Sequence, residues 1–139
     1  MQNPRFDDFE EDVMKRLLAG DDEILIKLRG QYEVATIHSR DFTGAGFFTH
    51  FRLAGKSLRL DRRNSFHFGD VIGQKDGSTD DAVGFVLFVK DGILDYLEGY
   101  TFGAETWPED LKDYRLSYST GVKRDMNKVR ANWSEFQAP

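Results

Sequence analysis

The spacing of apolar residues along this chain changes twice, and each change predicts a change of secondary structure. Between an Asn-Pro pair at positions 3 and 4 and a glycine at position 20, apolar residues recur at helical intervals: Phe6, Phe9, Val13 and Leu17. This segment is predicted to be a helix that ends at Gly20. Residues 21–32 favour a second helix, although the alternation of Ile24, Ile26 and Leu28 leaves a strand open.

From residue 33 the period becomes two, which is typical of strands. Residues 34–40 and 47–53 are rich in β-forming and alternating residues, and a glycine-rich turn lies between them. These two segments are predicted to form a hairpin. Residues 66–72 are predicted to be one further strand.

Residues 84–101 are predicted to form a second hairpin. Lys90, Asp91 and Gly92 fit a three-residue loop, and a two-residue Asp-Gly turn is the alternative. Residues 85–89 contain no polar side chain. Since uninterrupted apolar strands are usually covered on both faces, this strand is expected at the centre of the sheet with both faces buried.

The C-terminal third adds one strand and more helix. Residues 106–109 have the Thr-x-x-Glu form of a capping box and predict a short helical turn. Residues 114–118 alternate as a last strand, and helical spacing predicts a C-terminal helix through Val122, Met126, Val129 and Trp133. The predicted fold class is α+β, one domain over residues 1–139, with N-terminal helices and a C-terminal helix on a mostly antiparallel sheet of about five to seven strands.

Composition removes several classes of protein. The chain has 139 residues and no cysteine, which excludes disulfides, zinc-thiolate sites and a cysteine nucleophile. No phosphate loop or dinucleotide fingerprint is present, and the three histidines lack zinc-enzyme spacing, so no cofactor or metal is expected. The longest apolar run is far shorter than the roughly 20 residues of a membrane span. No signal segment is visible either, so a cytoplasmic protein without a membrane partner is expected.

The charge is uneven along the chain. The net charge is −5, and residues 70–110 hold ten acidic and two basic residues, a local charge of −8. Residues 52–63 and 112–130 each carry +4. Because an acidic protein is repelled by phosphate backbones, nucleic acid is not an expected partner.

Two sequence blocks resemble a known family. One is Ser-Arg-Asp-Phe-Thr-Gly-Ala-Gly-Phe-Phe-Thr-His-Phe at residues 39–51, and the other runs from Gly-Phe-Val-Leu-Phe at 84–88 through Leu-Glu-Gly-Tyr-Thr at 97–101 to the Trp-Pro pair at 107–108. Together they are similar to an uncharacterised family of short bacterial proteins. The resemblance covers about half of the chain. It implies a bacterial, cytosolic, single-domain protein and assigns no catalytic residue.

Glu98 is the first candidate for chemistry. It is a carboxylate within an apolar strand, and partial burial would raise its pKa toward values that suit acid–base catalysis. His50 is the candidate partner for such a reaction. A structural carboxylate that is paired with an arginine is the alternative interpretation of Glu98.

A cationic surface is the second candidate. His38 and Arg40 share one face of a predicted strand, and His50 and Arg52 share one face of the next. In one register the four side chains would form an anion-binding patch, whereas a slip of one residue would put the two pairs on opposite faces.

The third candidate is the loop that follows residue 100. Tyr100, Glu105 and Trp107 combine aromatic and acidic side chains, which is typical of a protein-binding hot spot. A loop that folds back over the sheet is the alternative. The leading functional hypothesis is therefore a small interaction protein, of an immunity or regulatory type, that binds another protein or itself as a homodimer. The alternative is a small-ligand-binding domain or a hydrolase-like enzyme that uses Glu98 with the histidine and arginine face of the sheet.

Overall fold

The computed structural model describes residues 4–54, 59–61, 64–75, 82–103, 106–131 and 134–135. Its helices are α1 (Pro4–Leu17), α2 (Glu23–Val34) and α3 (Met126–Ala131). Its strands are β1 (Thr36–Phe42), β2 (Gly46–Arg52), β3 (Phe66–Phe68), β4 (Val71–Lys75), β5 (Val83–Lys90), β6 (Ile93–Thr101), β7 (Tyr114–Tyr118) and the two-residue β8 (Ser134–Glu135). The predicted α+β class is confirmed.

Both N-terminal helices form where the sequence predicts them. In the apolar stripe of α1, Phe6, Val13 and Leu17 are buried and Phe9 is partly buried. The chain leaves the helix through Gly20, whose φ of 106° favours glycine. Helix α2 begins behind Asp22, whose carboxylate accepts hydrogen bonds from the backbone amides of Ile24 and Leu25. Residues 23–34 are therefore helical, and the strand alternative for this segment is wrong.

All strand pairs in the sheet are antiparallel. The main order is β1-β2-β6-β5-β3-β8, and β4 also pairs with β5 and carries β7 on its other side. Strand β5 lies at the centre, as predicted. Both predicted hairpins, β1–β2 and β5–β6, are present.

The loop of the β5–β6 hairpin has two residues rather than three. Lys90 pairs with Ile93, and Asp91 and Gly92 between them have φ values of 52° and 79°. Two consecutive residues with positive φ are typical of a two-residue hairpin turn whose twist matches that of the flanking strands. Glycine is required at position 92 because a Cβ there would lie 2.3 Å from the carbonyl oxygen of Leu60.

Residues 66–72 were predicted to be one strand, and this prediction is wrong. The segment divides into β3 and β4 at Gly69 and Asp70, and the two parts pair with different portions of β5. A Cβ at Gly69 would lie 1.9 Å from the carbonyl oxygen of Phe85. The carboxylate of Asp70 accepts hydrogen bonds of 2.7 and 2.9 Å from the guanidinium of Arg124. The break therefore serves a long-range contact that local spacing does not encode.

The helical turn predicted at residues 106–109 is also absent. The backbone amide of Trp107 donates a hydrogen bond to the carbonyl of Gly44 at 2.7 Å. This loop therefore binds to the β1–β2 turn and does not form a helical turn. The C-terminal helix is shorter than predicted. Val122 precedes α3 and is fully exposed, while Trp133 lies outside the described residues.

The helices bury one face of the sheet, here called the inner face. Its members belong to one apolar cluster with α1 and α2, and the largest include Phe47, Phe51, Phe66, Phe85 and Leu97. On the other face, here called the outer face, Val86 and Phe88 of β5 keep part of their surface exposed. The prediction that β5 is covered on both faces is therefore wrong. In the described residues, no helix is long and apolar enough to span a membrane.

Candidate binding surface on the outer sheet face

Strands β2 and β6 bring five side chains together on the outer face: Phe48, His50, Tyr96, Glu98 and Tyr100. We call this set the outer patch. Their placement follows from the register, in which Phe48 pairs with Glu98 and His50 pairs with Tyr96. Directly opposite residues of an antiparallel pair lie on the same face. All five side chains retain intermediate exposure.

Aromatic contacts hold the rings of the outer patch in place. Tyr96 stacks on Phe88 of β5 with ring centroids 4.2 Å apart and an interplanar angle of 15°. The ring of Phe48 lies 5.9 Å from that of Tyr96 in an edge arrangement. Tyr100 lies 5.4 Å from Phe102. Such pairs add stabilisation beyond their buried area, so the rings form an ordered frame.

Glu98 lies inside this frame. Its cross-strand neighbours are Phe48 on one side and Val86 on the other, and its neighbours along β6 on the same face are Tyr96 and Tyr100. Within the described part of the chain, the Glu98 carboxylate makes no hydrogen bond and no ion pair. Burial raises the pKa of its carboxyl group above the ordinary value.

The two tyrosines respond to this carboxylate. Burial first, and then the charge of Glu98, raises the pKa of Tyr100. The pKa of Tyr96 is raised by burial and by the charges of Glu98 and Asp95. Both hydroxyl groups therefore stay protonated at neutral pH, and the formal negative charge within the outer patch is that of Glu98.

His50 is on the same face as Glu98 but has a different carboxylate as its neighbour. Its Nε2 atom lies 3.5 Å from Oδ2 of Asp41, on β1. In the β2–β6 register His50 pairs with Tyr96, and Glu98 lies two residues further along β6, diagonal to His50. The structure thus brings the two predicted residues to one surface without placing them in direct contact.

Arg40 lies on the opposite face of the sheet. It pairs with Thr49, an inner residue, and its guanidinium contacts Glu10 at 2.8 Å and Asp7 at 2.8 Å, both on α1. Burial alone would lower the pKa of Arg40, but the hydrogen bonds and charges of Glu10 and Asp7 raise it. Arg40 is therefore the partner of a buried carboxylate and is not available to an external anion.

The four-residue cationic patch is not formed. A bulge between Ile37 and Ser39 shifts the β1–β2 register at His38, which is exposed. As a result His50 and Arg52 lie on the outer face, whereas Arg40 points to α1. The conditional prediction of an anion site from His38, Arg40, His50 and Arg52 is corrected here, because the bulge breaks the shared parity.

The predicted partner loop is divided between the two faces. Tyr100 belongs to the outer patch, but the ring of Trp107 packs on the inner side, 5.2 Å from Phe47 and 6.1 Å from Phe85. Trp107 therefore matches the alternative in which the loop folds back over the sheet. Glu105 lies outside the described residues.

A cavity of about 200 Å³ opens beside Trp107, near the N-terminus of α1. Its lining residues are Phe6, Phe42, Trp107, Pro108, Glu109, Asp110 and Leu111. Glu98 does not line it. In the described part of the chain, no group of three or more metal-ligating side chains is placed to hold an ion.

Phe48 and Tyr96 were not among the site residues predicted from the sequence. The signal was present in the period of two, since Tyr96 and Tyr100 flank Glu98 at two residues on either side. Phe48 and His50 are likewise two residues apart and so share one face of their strand. Only the register shows that the two rows adjoin, so these residues become a surface only in the folded sheet.

No protein-family model matches the chain, and no solved structure matches it. The resemblance to a family of short bacterial proteins stays a prediction. The outer patch must therefore be interpreted from its own chemistry.

Proposed function

We propose that this chain is an interaction protein that binds a basic protein partner on the outer face of its sheet. The observation that carries the proposal is the outer patch, an aromatic frame around a half-buried carboxylate. An antiparallel sheet that faces water on one side normally presents alternating polar residues there. Here Phe48, Tyr96 and Tyr100 occupy those positions.

The composition of the outer patch suits a protein surface. Tyrosine and phenylalanine are enriched at the centres of interfaces because they supply large contact areas at a low entropy cost. The ring of Tyr96 is also held in place before binding, since it is stacked on Phe88. A partner would therefore spend little free energy on ordering this side chain.

The charge of the surface favours a basic partner over a second copy of the chain. The carboxylates of Glu98 and Asp41 both lie on the outer face, because each residue pairs with Phe48 across the strands. In a two-fold dimer the same patch would face itself, and two Glu98 carboxylates would meet between aromatic rings. A basic partner brings the opposite charge and benefits from electrostatic steering. Immunity-type and regulatory proteins are within this class.

The enzyme alternative has weaker support. It would use Glu98 with His50, and the raised pKa of Glu98 suits a general acid. However, the nearest carboxylate contact of His50 is to Asp41, and Glu98 lines neither of the cavities formed by the described residues near Trp107 and near Tyr32. An open, aromatic surface favours binding.

Selection from a random peptide library displayed on phage tests the proposal without a known partner. The full chain is immobilised, and enriched peptides are measured against Tyr96→Ala, Glu98→Gln and the control Glu33→Gln. Glu33 is an exposed carboxylate at the end of α2, so its variant makes the same change of charge on the helical side. We expect enriched basic peptides whose binding is lost in the first two variants and kept in the control.

Two results would overturn the proposal. One is a selection that yields no peptide dependent on Tyr96 or Glu98. The other is a homodimer, measured by sedimentation, that dissociates in the Tyr96→Ala variant. Thermal melting of each variant separates loss of binding from loss of folding.

A further inference from the structure

We infer that Glu98 is the receptor for an arginine side chain of the partner, held between the carboxylate and the rings of the outer patch. This inference rests on the proposed function, because it specifies which chemical group of the basic partner the patch recognises. Phe48 and Val86 lie beside Glu98 across the strands, and Tyr96 and Tyr100 lie beside it along β6.

Glu98 has no cationic partner among the described residues. No described residue of the chain forms an ion pair with it, whereas the buried carboxylates of Glu10 and Asp70 each have an arginine. A carboxylate that loses water without gaining a partner raises the free energy of the surface. A cation delivered by a partner would remove this penalty when the complex forms.

The ring positions favour a planar cation. Tyr96 is fixed by its stack on Phe88, and Tyr100 lies over Gly84, where a Cβ would come within 2.6 Å of its Cζ and Oη atoms. The absence of a side chain at Gly84 therefore lets Tyr100 lie low on the sheet. Aromatic neighbours beside a carboxylate suit a guanidinium, which stacks on rings and donates two parallel hydrogen bonds to a carboxylate.

The same geometry disfavours the other cations. A lysine ammonium is a compact and strongly hydrated charge that makes no bidentate contact with a carboxylate. A hard metal ion requires several oxygen ligands, and Glu98 supplies the carboxylate of a patch that is otherwise aromatic except for His50. Arginine is thus the side chain whose shape and charge both match the patch.

The experiment uses two probes on the isotopically labelled full chain, followed by nuclear magnetic resonance. The first is N-acetyl-arginine methylamide, compared with its lysine and citrulline counterparts, where citrulline keeps the shape and removes the charge. The second is the strongest peptide from the display selection, synthesised with each arginine replaced by lysine or citrulline. Binding is read from the backbone amides of Phe48, His50, Tyr96, Glu98 and Tyr100.

We expect the arginine probe to shift these amides and the citrulline probe to leave them unchanged. In the selected peptide, replacement of one arginine by citrulline should weaken binding about tenfold, and replacement by lysine should weaken it about threefold. Glu98→Gln should remove the preference for arginine over citrulline. Glu33→Gln should keep it.

The outcomes separate the two proposals. If peptides bind the outer patch equally well with citrulline, the arginine inference is overturned and the proposed function stands. If no selected peptide shifts the amides of the outer patch, the proposed function fails as well. If Glu98→Gln retains the full preference for arginine, the cation is bound elsewhere and the assignment to Glu98 is wrong.

Discussion

Two carboxylates, Glu10 and Glu98, lie on opposite faces of the same sheet and have opposite surroundings. Glu10 is 2% exposed and receives hydrogen bonds from Arg40 and from the hydroxyl of Thr49. Glu98 is half-buried among aromatic rings and has no cation among the described residues. In this comparison, the carboxylate that a helix places against the sheet has an arginine partner, and the carboxylate on the uncovered face has no cation among the described residues.

The closed arrangement at Glu10 is structural. Arg40 also contacts Asp7 at 2.8 Å, and its guanidinium lies 5.3 Å from the ring of Phe6. These contacts connect α1 to β1 and satisfy a charge that would otherwise be buried alone. By contrast, no hydrogen bond or ion pair among the described residues connects the outer patch to a helix, which is consistent with the binding surface that we propose.

Replacement of Arg40 by methionine should have the largest effect. It leaves the buried Glu10 carboxylate without its cation, which typically costs about 3–5 kcal/mol of unfolding free energy. Urea denaturation measures this value. The matched control is Arg52→Met, at an exposed position of β2, which should change stability by less than about 0.5 kcal/mol. Equal effects of the two substitutions would contradict the structural role of Arg40.

Trp107→Ala should have the next largest effect. Its ring packs against Phe47 and Phe85, so truncation opens space beside the core and should cost about 3 kcal/mol. The control is Phe102→Ala in the same loop region, where the ring is 52% exposed. A melting temperature that drops for Phe102→Ala and stays constant for Trp107→Ala would reverse the assignment of these two rings.

Alanine substitutions at Gly99 and Gly84, which lie on neighbouring strands, test how rigid the side chains are on the two faces of the sheet. A Cβ at Gly99 would lie 2.1 Å from the ring of Phe47, which is buried, whereas a Cβ at Gly84 would meet the half-exposed Tyr100. Gly99→Ala should therefore cost about 2 kcal/mol because Phe47 has no room to move. Gly84→Ala should cost less in denaturation experiments while displacing the ring of Tyr100. The opposite order of stabilities would show that the outer rings are the more rigid ones.

Glu98→Gln should have the smallest effect on stability, within about 0.5 kcal/mol at neutral pH. The folded state raises the pKa of Glu98, so it binds this proton more tightly than the unfolded state does. The contribution of this group is fully present below the ordinary glutamate pKa of 4.5 and is lost as the pH rises through the raised pKa of the folded state. The wild type should therefore lose stability relative to the Gln variant over that interval. A relative gain would mean that Glu98 is paired.

Hydrophobic spacing was sufficient for most of the elements. The stripe from Phe6 to Leu17 predicted α1, and the change to a period of two predicted β1 and β2. The uninterrupted apolar run of residues 85–89, followed by a turn, predicted β5 and β6. These patterns are local, because helix and strand geometry repeat every few residues and each must bury an apolar face. The partial burial of Glu98 was also predictable from its apolar neighbours.

Predictions failed where a distant contact decided the local structure. Residues 106–109 have the form of a capping box. However, the backbone N–H of Trp107 donates a hydrogen bond to the carbonyl of Gly44, and the Trp107 side chain packs on the core. Residues 66–72 were predicted to be one strand, yet the chain divides at Gly69, which lies against the backbone of β5. In both places tertiary hydrogen bonds and close approach outweighed local propensity.

The sequence by itself determined the α+β class, the central place of β5 and the presence of a carboxylate in an apolar strand. The tertiary structure decided which side chains share a face, because one bulge at His38 sends Arg40 to the helices and leaves His50 on the other side. It also decided that Glu10 has a cation and that Glu98, on the described surface, does not. The physical reason is that side-chain parity within a strand is local, whereas register between strands depends on turns, bulges and the packing of the whole sheet.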